Sequence, residues 1–546
     1  MEFPSRYQID IPDVDVLTYV FGTPTPGDGP FVYLDAETQT QGFRKSELET
    51  YVKKLAGGLR ATKRIKNDDV ILAYTQNSIW YPIIVLGAIC AGGIFTGANP
   101  GYTSIELTQH LTISGATCIF TDSERLEAAV EAADAAALPR SSIVLLDDGR
   151  EPALVDLHRI QDFLASPHSW EVIKDPQVLT EKVAVLNFSS GTTGNPKACM
   201  ITHRNLVANA EQTLHLDEVA RERSSSMNHS SHETHCAFLP LYHASGLLTY
   251  CIVNLRRSCT TVVMRKFSLR LLLSTIQRFR VTSLFLAPPV VLMLVESDLL
   301  SQYDLSSVEL LLCGGAPLQP EQSRKLEAVF GDGRVRSRQG WGMTEATMAV
   351  TLFAPDEFDP SHKGVGYLVA NMQMKIVADD GSQVGYCEEG EAFVRGPNVF
   401  KGYYKNQSAS QQAFDWMGWM RTGDIVTIQR SGLVTVVNRK KELIKVKGFQ
   451  VAPSELEGHL LEHPGVKDCA VTRIILNGQE HPQAHIVARD SDVTAESIME
   501  FLQGRLSAHK RITGGIVFTK SIPKSASGKI LRWMLQDPGH ARLTHL

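Results

Sequence analysis

The sequence predicts an α/β fold in at least two domains, and three observations lead to this prediction. First, short continuous apolar runs alternate with helical patterns through roughly the first four hundred residues, as expected for strands buried on both faces of a sheet. Second, three of these runs end in turns rich in glycine, proline or serine, where ligands bind in such folds. Third, the chain has 546 residues, more than one compact core usually holds.

The strands predicted from the apolar runs lie within residues 70–75, 142–148, 183–188, 283–288 and 308–315. The uncharged stretch 79–98 has the length of a membrane span, which makes a span the alternative to a buried helix. Pro82 near its start and the pair Gly92 and Gly93 near its end favour a helix in a large core. A further helix is predicted within residues 491–505, where apolar residues recur on one face.

Composition and charge exclude several classes of protein. Hydrophobic residues make up 43% of the chain and charged residues 21%, as is usual in soluble globular proteins. The net charge of -5 leaves no basic excess to neutralise a nucleic-acid backbone, so no nucleic-acid partner is expected. The nine cysteines are scattered without a C-x-x-C pair, which predicts reduced, buried thiols and neither a disulfide framework nor a zinc site.

The N-terminal segment is mixed and acidic, unlike a signal or transit peptide, and predicts an intracellular, cytoplasmic protein without a membrane span. The last residues, Thr544, His545 and Leu546, loosely resemble the S-K-L peroxisomal address, so a peroxisomal location is the alternative. Residues 221–235 are polar and carry three histidines. We interpret them as a solvated surface loop, because no carboxylate or cysteine stands at a convincing metal-binding spacing.

The stretch 188–197, FSSGTTGNPK, follows one of the predicted strands and predicts a phosphate-binding loop. It does not fit the Walker A spacing, because Ala198 follows Lys197 where a serine or threonine would stand. A flexible surface turn is the alternative. The candidate phosphate ligands are the hydroxyl and backbone groups of Ser189, Ser190, Gly191, Thr192, Thr193 and Gly194, together with Lys197.

The composition changes near residue 439, where cationic residues cluster before a predicted helix that begins at Pro453. Ser454 and Glu457 have the spacing of a capping box for that helix. We therefore divide the chain into a domain of residues 1–438 and a domain of residues 439–546.

Several short motifs occur together in one order along the chain: ANPGYTSIEL (98–107), LPLYHASG (239–246), CGGAP (313–317), QGWGMTEA (339–346), RTGD (421–424), KELIKVKGFQVAPSELE (441–457) and PKSASGK (523–529). With the phosphate loop, they closely resemble the adenylate-forming superfamily of acyl-CoA synthetases, adenylation domains and beetle luciferase, and most of all its 4-coumarate–CoA ligase branch. The resemblance covers about residues 30–532.

The resemblance implies a large N-terminal domain of α/β subdomains and a small, mobile α+β C-terminal domain that turns about a hinge near Lys441. It also implies two half-reactions. A carboxylic acid attacks the α-phosphorus of Mg-ATP to give an acyl-adenylate and pyrophosphate, and the thiol of coenzyme A then displaces AMP. The implied cofactors are ATP, Mg²⁺ and coenzyme A, and the expected assembly is a monomer or homodimer.

The same resemblance assigns roles to residues of the large domain. Thr344 would reach the α-phosphate and Glu345 would bind Mg²⁺, while Asp424 would accept the ribose hydroxyls with Arg439 as a second contact. His243 would gate or hold the carboxylate at the acyl pocket. The nucleotide slot would be lined by Gly314, Gly315, Ala316, Pro317, Gln339, Gly340, Trp341, Gly342 and Met343, with Trp341 stacked on adenine.

In the small domain, Lys529 matches the lysine that bridges the carboxylate and the α-phosphate during adenylation. Lys445 and Gln450 match positions that serve the thioester half-reaction after the domain turns. The thiol tunnel would then be lined by Lys447, Gly448 and Phe449. Each residue alone also has an ordinary structural explanation, such as a turn, a core position, a helix cap or an exposed tail, but the joint pattern favours the functional one.

Three departures from the family pattern are visible. Asn438 replaces the aspartate that precedes the hinge arginine, so the acid expected to orient Arg439 is missing. Trp341 replaces a tyrosine and preserves stacking. Small residues in HASGLL, 243–248, indicate a roomier acyl pocket.

These motifs predict an ATP-dependent ligase that forms acyl- or aryl-CoA, with a cinnamate- or benzoate-like aromatic acid as substrate. The alternatives are a medium-chain fatty acid, an enzyme that passes its acyl group to a carrier protein or an amine, and a luciferase-like oxidation. A non-catalytic nucleotide-binding protein is disfavoured, because it would need neither Lys529 nor Lys445. No attached carrier domain is expected, since the chain ends soon after Lys529.

Overall fold

The computed structural model describes residues 1–22, 29–38, 41–61, 65–146, 157–164, 166–189, 196–223, 233–331, 333–446, 449–476, 479–503, 505–506, 510–525 and 528–536. Within these residues, strands and helices alternate along most of the first four hundred positions.

The strands are β1 Glu2–Pro4, β2 Phe31–Asp35, β3 Gly42–Arg44, β4 Val70–Tyr74, β5 Ile94–Gly97, β6 Ala116–Thr121, β7 Ile143–Leu145, β8 His158–Arg159, β9 Val183–Ser189, β10 Lys197–Thr202, β11 Thr234–Ala237, β12 Thr260–Val263, β13 Ser283–Leu286, β14 Leu310–Cys313, β15 Ser337–Gln339, β16 Trp341–Gly342, β17 Ala349–Leu352, β18 Tyr367–Leu368, β19 Gln373–Val377, β20 Gly390–Arg395, β21 Met420–Ile428, β22 Val434–Arg439, β23 Ile444–Val446, β24 Phe449–Val451, β25 Val466–Leu476, β26 Gln479–Ala488 and β27 Ile516–Phe518.

The helices are α1 Val16–Phe21, α2 Lys45–Ala61, α3 Tyr81–Cys90, α4 Ser104–Ser114, α5 Leu126–Ala135, α6 Pro176–Glu181, α7 His203–Arg223, α8 Ala244–Gly246, α9 Asn254–Arg257, α10 Leu269–Phe279, α11 Pro288–Val295, α12 Pro320–Val329, α13 Gln407–Ala413, α14 Pro453–Leu461, α15 Ala495–Leu502 and α16 Arg532–Gln536. A π-helical segment, Leu247–Val253, joins α8 to α9.

Two seven-stranded, mostly parallel sheets form the centre of the large domain. Their strand orders are β10-β9-β5-β4-β6-β7-β8 and β15-β14-β13-β11-β12-β2-β3. All five strands predicted from apolar runs lie in these sheets, four of them within one or two residues of the predicted bounds. The α/β fold class is therefore confirmed. Such runs predict strands well because both faces of a parallel sheet are covered by helices, which leaves little room for polar residues.

The uncharged stretch 79–98 forms a buried helix and a strand. All ten residues of α3 are buried, and the chain turns at Gly92, which has a φ of 85°, before it enters β5. Among the described residues, no helix is long and apolar enough to cross a membrane. The interpretation of this stretch as core is confirmed.

A five-stranded antiparallel sheet, β1-β19-β20-β21-β22, completes the large domain next to a small sheet of β16, β17 and β18. Beyond β22, the strands form a two-stranded sheet of β23 and β24 and a three-stranded sheet of β25, β26 and β27. Buried apolar residues from Ile444 to Ile512 form a hydrophobic cluster separate from those of the large domain. The separate cluster supports a domain division near residue 439, and the exact boundary stays a proposal.

Two sequence-based interpretations are wrong. Ser454 does not cap α14, because Ala452 is the N-cap residue without a side-chain cap; the carboxylate of Glu457 instead accepts hydrogen bonds from Arg532 and from the backbone N–H of Val471. Residues 221–235 are not one surface loop. Helix α7 continues to Arg223, β11 begins at Thr234, and residues 224–232 lie outside the described residues.

Candidate functional site

A cavity of ≈ 710 Å³ opens where strands of the two parallel sheets end. Several lining residues lie at the end of a strand: Ser189 is the last residue of β9, Gly314 follows β14, and Gly340 follows β15. Ligands in α/β folds bind at such carboxyl ends. The small domain completes the wall of the cavity with Lys524, Ser525, Lys529 and Leu531.

Lys529 reaches this cavity from a tight loop of the small domain. The backbone N–H of Lys529 donates to Ser525 Oγ at 3.1 Å, and the Ser525 N–H donates to the Lys529 carbonyl at 2.8 Å. Burial lowers the pKa of the Lys529 ammonium, and the positive charge of Arg439 lowers it further, while Glu442, Asp424 and Glu345 act in the opposite direction. The lysine is thus a desolvated cation close to two predicted nucleotide ligands.

Gly528 allows this loop to approach the large domain closely. Its φ is 83°, a conformation that favours glycine, and a Cβ atom there would lie 2.6 Å from Pro289 Cδ at the start of α11. Two further contacts join the domains nearby. A Cβ on Gly458 would lie 2.8 Å from Gln319 Oε1, and Arg489 pairs with Glu296 at 2.6 Å.

Asp424 is buried, and both of its carboxylate oxygens are engaged. Oδ1 pairs with Arg439 Nε at 2.9 Å, and Oδ2 accepts a hydrogen bond from Trp341 Nε1 at 2.9 Å. Burial raises the pKa of Asp424, while Arg439 and Trp341 lower it. These bonds fix the indole of Trp341 at the cavity wall. Asp424 is therefore the acid that orients Arg439. The sequence had indicated that this acid is missing, because Asn438 replaces the usual aspartate.

Glu345 joins three elements at the cavity. Its Oε1 atom accepts hydrogen bonds from Ser189 Oγ at 2.8 Å and from the Tyr403 hydroxyl at 2.9 Å. Burial and the charge of Glu345 raise the pKa of Tyr403, so its hydroxyl remains a neutral donor. The ammonium of Lys197 lies 5.1 Å from the centre of the Tyr403 ring, within cation–π range.

The sequence did not identify Tyr403 as a site residue. The segment around it pairs with β10, since Met200 donates to Gly402 and Tyr404 donates to Ala198. This pairing brings together residues that are far apart in the sequence. No local spacing of residues predicts it. Thr344, next to Glu345, also lines the cavity, so hydroxyl and carboxylate oxygens that suit Mg²⁺ are present at this wall.

The predicted nucleotide slot is partly assembled at the cavity wall. The lining residues from that prediction are Gly314, Gly315, Gly340, Trp341, Gly342 and Met343. Gly342 is required for packing, since a Cβ there would lie 1.7 Å from the carbonyl oxygen of Met348. Ala316 and Pro317 are not among the described lining residues.

Gln339 has an internal role in the same region. Its Oε1 atom accepts from the Leu318 N–H at 2.9 Å, and its Nε2 donates to the His362 carbonyl at 2.8 Å. Gln339 therefore holds the loop that follows Gly314 against the end of β15. Within the described part of the chain, it does not line the cavity.

His243 lines the cavity immediately before α8. Its ring centre lies 4.5 Å from that of Tyr242. Burial lowers the pKa of His243 to about 4, so the imidazole is neutral at pH 7. Ala244 and Ser245 line the cavity beside it, whereas a Cβ on Gly246 would meet the carbonyl of Pro240. Of the small residues in HASGLL, Ala244 and Ser245 therefore border the cavity, whereas Gly246 allows close packing of the backbone.

Lys445, which is assigned to the second half-reaction, does not line the cavity. Lys445 is exposed on β23, its Cα pairs in register with that of Gln450 on β24, and its backbone N–H donates to Glu480 at 2.6 Å. Of the described residues that line the cavity, none belongs to β23 or β24, although Lys441 is among them.

Some predicted site residues lie outside the described residues. These are Ser190, Gly191, Thr192, Thr193 and Gly194 of the phosphate loop, and Lys447 and Gly448 of the predicted thiol tunnel; the side chains of Phe449 and Gln450 are not described either. The described ends of the phosphate loop, Ser189 and Lys197, both line the cavity.

The N-terminal and C-terminal parts of the chain each match a model of a known protein family. Residues 26–404 match the family model described as AMP-binding enzyme, and residues 455–529 match the AMP-binding enzyme C-terminal domain. The chain is 33% identical to a phenylacetyl-CoA ligase, epaB, of Aspergillus niger, over 100% of both chains. It is 32% identical to a 4-coumarate–CoA ligase of Pinus taeda, over 96% of each.

Solved structures show the same fold. The ATP-bound MatB structure from Rhodopseudomonas palustris superposes with a TM-score of 0.84 at 23% identity, covering 96% of this chain and 99% of that one. An anthranilate CoA ligase, AuaEII, in complex with anthranoyl-AMP, superposes with a TM-score of 0.83 at 22% identity, covering 98% and 99%. At these identities, the likeness supports the two-domain fold alone.

Proposed function

Because the chain belongs to the AMP-binding enzyme family, we propose that it activates a carboxylic acid with ATP and transfers the acyl group to coenzyme A. The observation that carries this proposal is the position of Lys529. It enters from the small domain a cavity lined by Glu345 and Thr344 of the large domain and by Arg439 at the end of β22. A nucleotide-binding protein would not need a desolvated lysine at this wall.

The first half-reaction joins two anions, so charge neutralisation and positioning must supply most of the catalysis. A carboxylate oxygen bonds to the α-phosphorus of ATP, and the bond from that phosphorus to the bridging oxygen of pyrophosphate breaks. Lys529 is the cation that holds the carboxylate and the α-phosphate together. Asp424 orients Arg439 and Trp341 at the nucleotide wall through the two bonds described above.

Mg²⁺ belongs to the same proposal. Glu345, with its carboxylate beside the hydroxyl of Ser189, would hold the ion, and an ion there would neutralise charge on the ATP phosphates. Tyr403 fixes the orientation of Glu345 through the second hydrogen bond to Oε1. Lys197 begins the strand next to this carboxylate and would add a cation for the departing pyrophosphate.

In the second half-reaction, the sulfur of coenzyme A bonds to the acyl carbon, the bond from that carbon to the AMP oxygen breaks, and the thiol proton is lost. We assign this step to Lys445 and Gln450, with Lys447, Gly448 and Phe449 in the thiol tunnel. The side chain of Lys445 is exposed on β23 and does not line the cavity, so the small domain must turn about a hinge near Lys441 before Lys445 can act.

We propose an aromatic acid of the cinnamate or benzoate type as substrate. The cavity is lined by Phe188, Tyr242 and Phe285, whose rings offer apolar and stacking surfaces. Relatives named phenylacetyl-CoA ligase and 4-coumarate–CoA ligase support the same class. A medium-chain fatty acid is the second candidate, because Leu312 and Met348 also line the cavity and would accept an alkyl chain.

The test is a panel of aromatic and aliphatic acids scored by AMP release, with products identified by mass in the presence and absence of coenzyme A. We expect acyl-CoA only when the thiol is present, and the highest kcat/KM for an aromatic acid. An amide or carrier-bound product without a CoA ester would overturn the assigned acceptor. Turnover restricted to alkyl acids would overturn the assigned acid.

An intracellular location belongs to this proposal as well, because coenzyme A and ATP are intracellular substrates. A relative from Arabidopsis thaliana, 34% identical over 95% of this chain, is named a peroxisomal OPC-8:0-CoA ligase, which keeps a peroxisomal location as the alternative to the cytoplasm. Residues 544–546 lie outside the described residues. Imaging of a fluorescent protein fused ahead of residue 1, with and without residues 544–546, distinguishes the two locations.

A further inference from the structure

Three side chains of different chemistry meet at the amino ends of β11 and β12, away from the cavity. The two strands are parallel, and Thr234 pairs in register with Thr260. The residues just before them, Glu233 and Cys259, are therefore neighbours. His235 follows Glu233 by two positions, which places both side chains on one face of the strand.

The ligand atoms of these side chains form a compact triangle. Glu233 Oε2 lies 3.4 Å from His235 Nε2 and 3.8 Å from Cys259 Sγ, and all three atoms lie within 4.8 Å of one another. Tetrahedral Zn²⁺ with ordinary bond lengths holds such atoms about 3.3–3.6 Å apart. Two of the three separations are thus already within a few tenths of an ångström of a zinc site.

The surrounding residues orient the carboxylate and balance the charge. Arg257 donates to Oε1 of Glu233, the oxygen that is not closest to the other two ligands, and its second nitrogen pairs with Asp217 at 2.9 Å. Outer hydrogen bonds of this kind commonly fix metal ligands. The Glu233 carboxylate and the Cys259 thiolate would together supply the two negative charges that balance Zn²⁺.

We propose that Glu233, His235 and Cys259 bind one Zn²⁺ ion, with water as the fourth ligand. Binding releases the thiol proton of Cys259 to solvent. The side chains of His235 and Glu233 are 11% and 20% exposed, which gives the ion and its water access from one side. The ion links the starts of two strands at the end of the sheet opposite the cavity, so its binding is independent of the proposed ligase reaction.

The test is titration of the chelator-treated, full-length protein with Zn²⁺ against a chromophoric competitor, without ATP or Mg²⁺. We expect one ion per chain. Co²⁺ in its place should give the near-ultraviolet charge-transfer absorption of a thiolate ligand. Because the Cys199 thiol lies beside Glu345, the loss of this band in Cys259→Ser is what separates the proposed site from an ion at Glu345. Cys259→Ser should remove this band and weaken binding by more than the roughly 10- to 100-fold that outer-shell substitutions cost.

The matched control is Cys387→Ser, which changes an exposed cysteine elsewhere and should keep both the band and the affinity. Because Cys259 is buried, His235→Gln provides a second variant if Cys259→Ser does not fold. Zn²⁺ should raise the Tm of the wild type and of Cys387→Ser, but not that of His235→Gln. The proposal is overturned by a chain that retains no ion, by Co²⁺ binding without a thiolate band, or by equal affinity in Cys259→Ser.

Discussion

Two lysines of the small domain lie in opposite surroundings. Lys529 is packed into the cavity, where burial lowers the pKa of its ammonium, and its loop touches Pro289 of the large domain. Lys445 is exposed on β23 and does not border the cavity among the described residues. In this arrangement the small domain therefore places Lys529, and not Lys445, at the cavity. The comparison suggests that each lysine serves a different half-reaction, and the following experiments test this division.

The largest effect is expected from Lys529→Ala. Removal of the cation that neutralises two reacting anions should lower acid-dependent ATP–pyrophosphate exchange by at least about 100-fold. Thioester formation from supplied acyl-adenylate should stay near the wild-type rate. Lys520→Ala changes an exposed lysine of the same domain and serves as the control. An equal fall in both half-reactions would contradict the role given to Lys529.

Lys445→Ala should have the opposite pattern. Capture of acyl-adenylate by coenzyme A should slow by at least about tenfold, since a positioned side chain commonly contributes 10²- to 10⁴-fold. Exchange of pyrophosphate into ATP should change little, because Lys445 lies away from the cavity. Single-turnover measurements of the two steps check this. Unchanged CoA-ester formation would remove Lys445 from the site.

Gly528→Ala should weaken the approach of the Lys529 loop. The new Cβ would lie 2.6 Å from Pro289, and misplacement of a catalytic group by about 1 Å can cost roughly 100-fold in rate. Gly515→Ala is the matched control: its φ of 87° imposes similar backbone strain, but no atom lies within 4 Å of the added Cβ. We expect a loss of exchange activity in Gly528→Ala and only a lower Tm in Gly515→Ala. Similar activities in the two variants would contradict this contact.

The pH dependence of adenylation should reflect the burial of the Lys529 ammonium. Lys529 must be protonated to act as a cation, and burial lowers its pKa from the ordinary 10.5. Activity should therefore fall with rising pH before an exposed lysine would lose its proton. The measurement is kcat/KM for pyrophosphate exchange, which reports groups of the free enzyme. Lys529→Arg should move this fall to higher pH in whatever activity remains, because guanidinium keeps its charge. If activity fell at the same pH in Lys529→Arg as in the wild type, the fall would belong to the titration of another group.

The smallest effect is expected from Glu296→Gln. This substitution breaks the ion pair with Arg489 that joins the two domains, but both side chains are well exposed, at 34% and 44%. Such pairs are worth at most about 1 kcal/mol, so either half-reaction should change less than about fivefold. The difference between variant and wild type should shrink at high salt. A large effect on one half-reaction would show that this pair governs the domain orientation.

The sequence alone predicted the α/β class, the buried strands and the family. The apolar runs were sufficient because strands covered on both faces need continuous apolar residues. The motifs around Gly314, Glu345, Asp424 and Lys529 were recognisable because each is local. The apparent capping box at Ser454 and Glu457 shows the limit of local spacing, since the Glu457 carboxylate instead bonds Arg532, which comes from a distant part of the chain.

Tertiary structure decided which side chains meet. Tyr403 bonds Glu345, and Asp424 bonds Trp341 of a different sheet, so these contacts depend on how distant segments pack together. The pairing of β21 with β22 sets Arg439 beside Asp424. The meeting of Glu233 with Cys259 depends on the register of two parallel strands, which no spacing in the sequence reveals. Motifs of neighbouring residues can be recognised in the sequence. Hydrogen bonds between distant residues form only where the packing of sheets and domains brings those residues together.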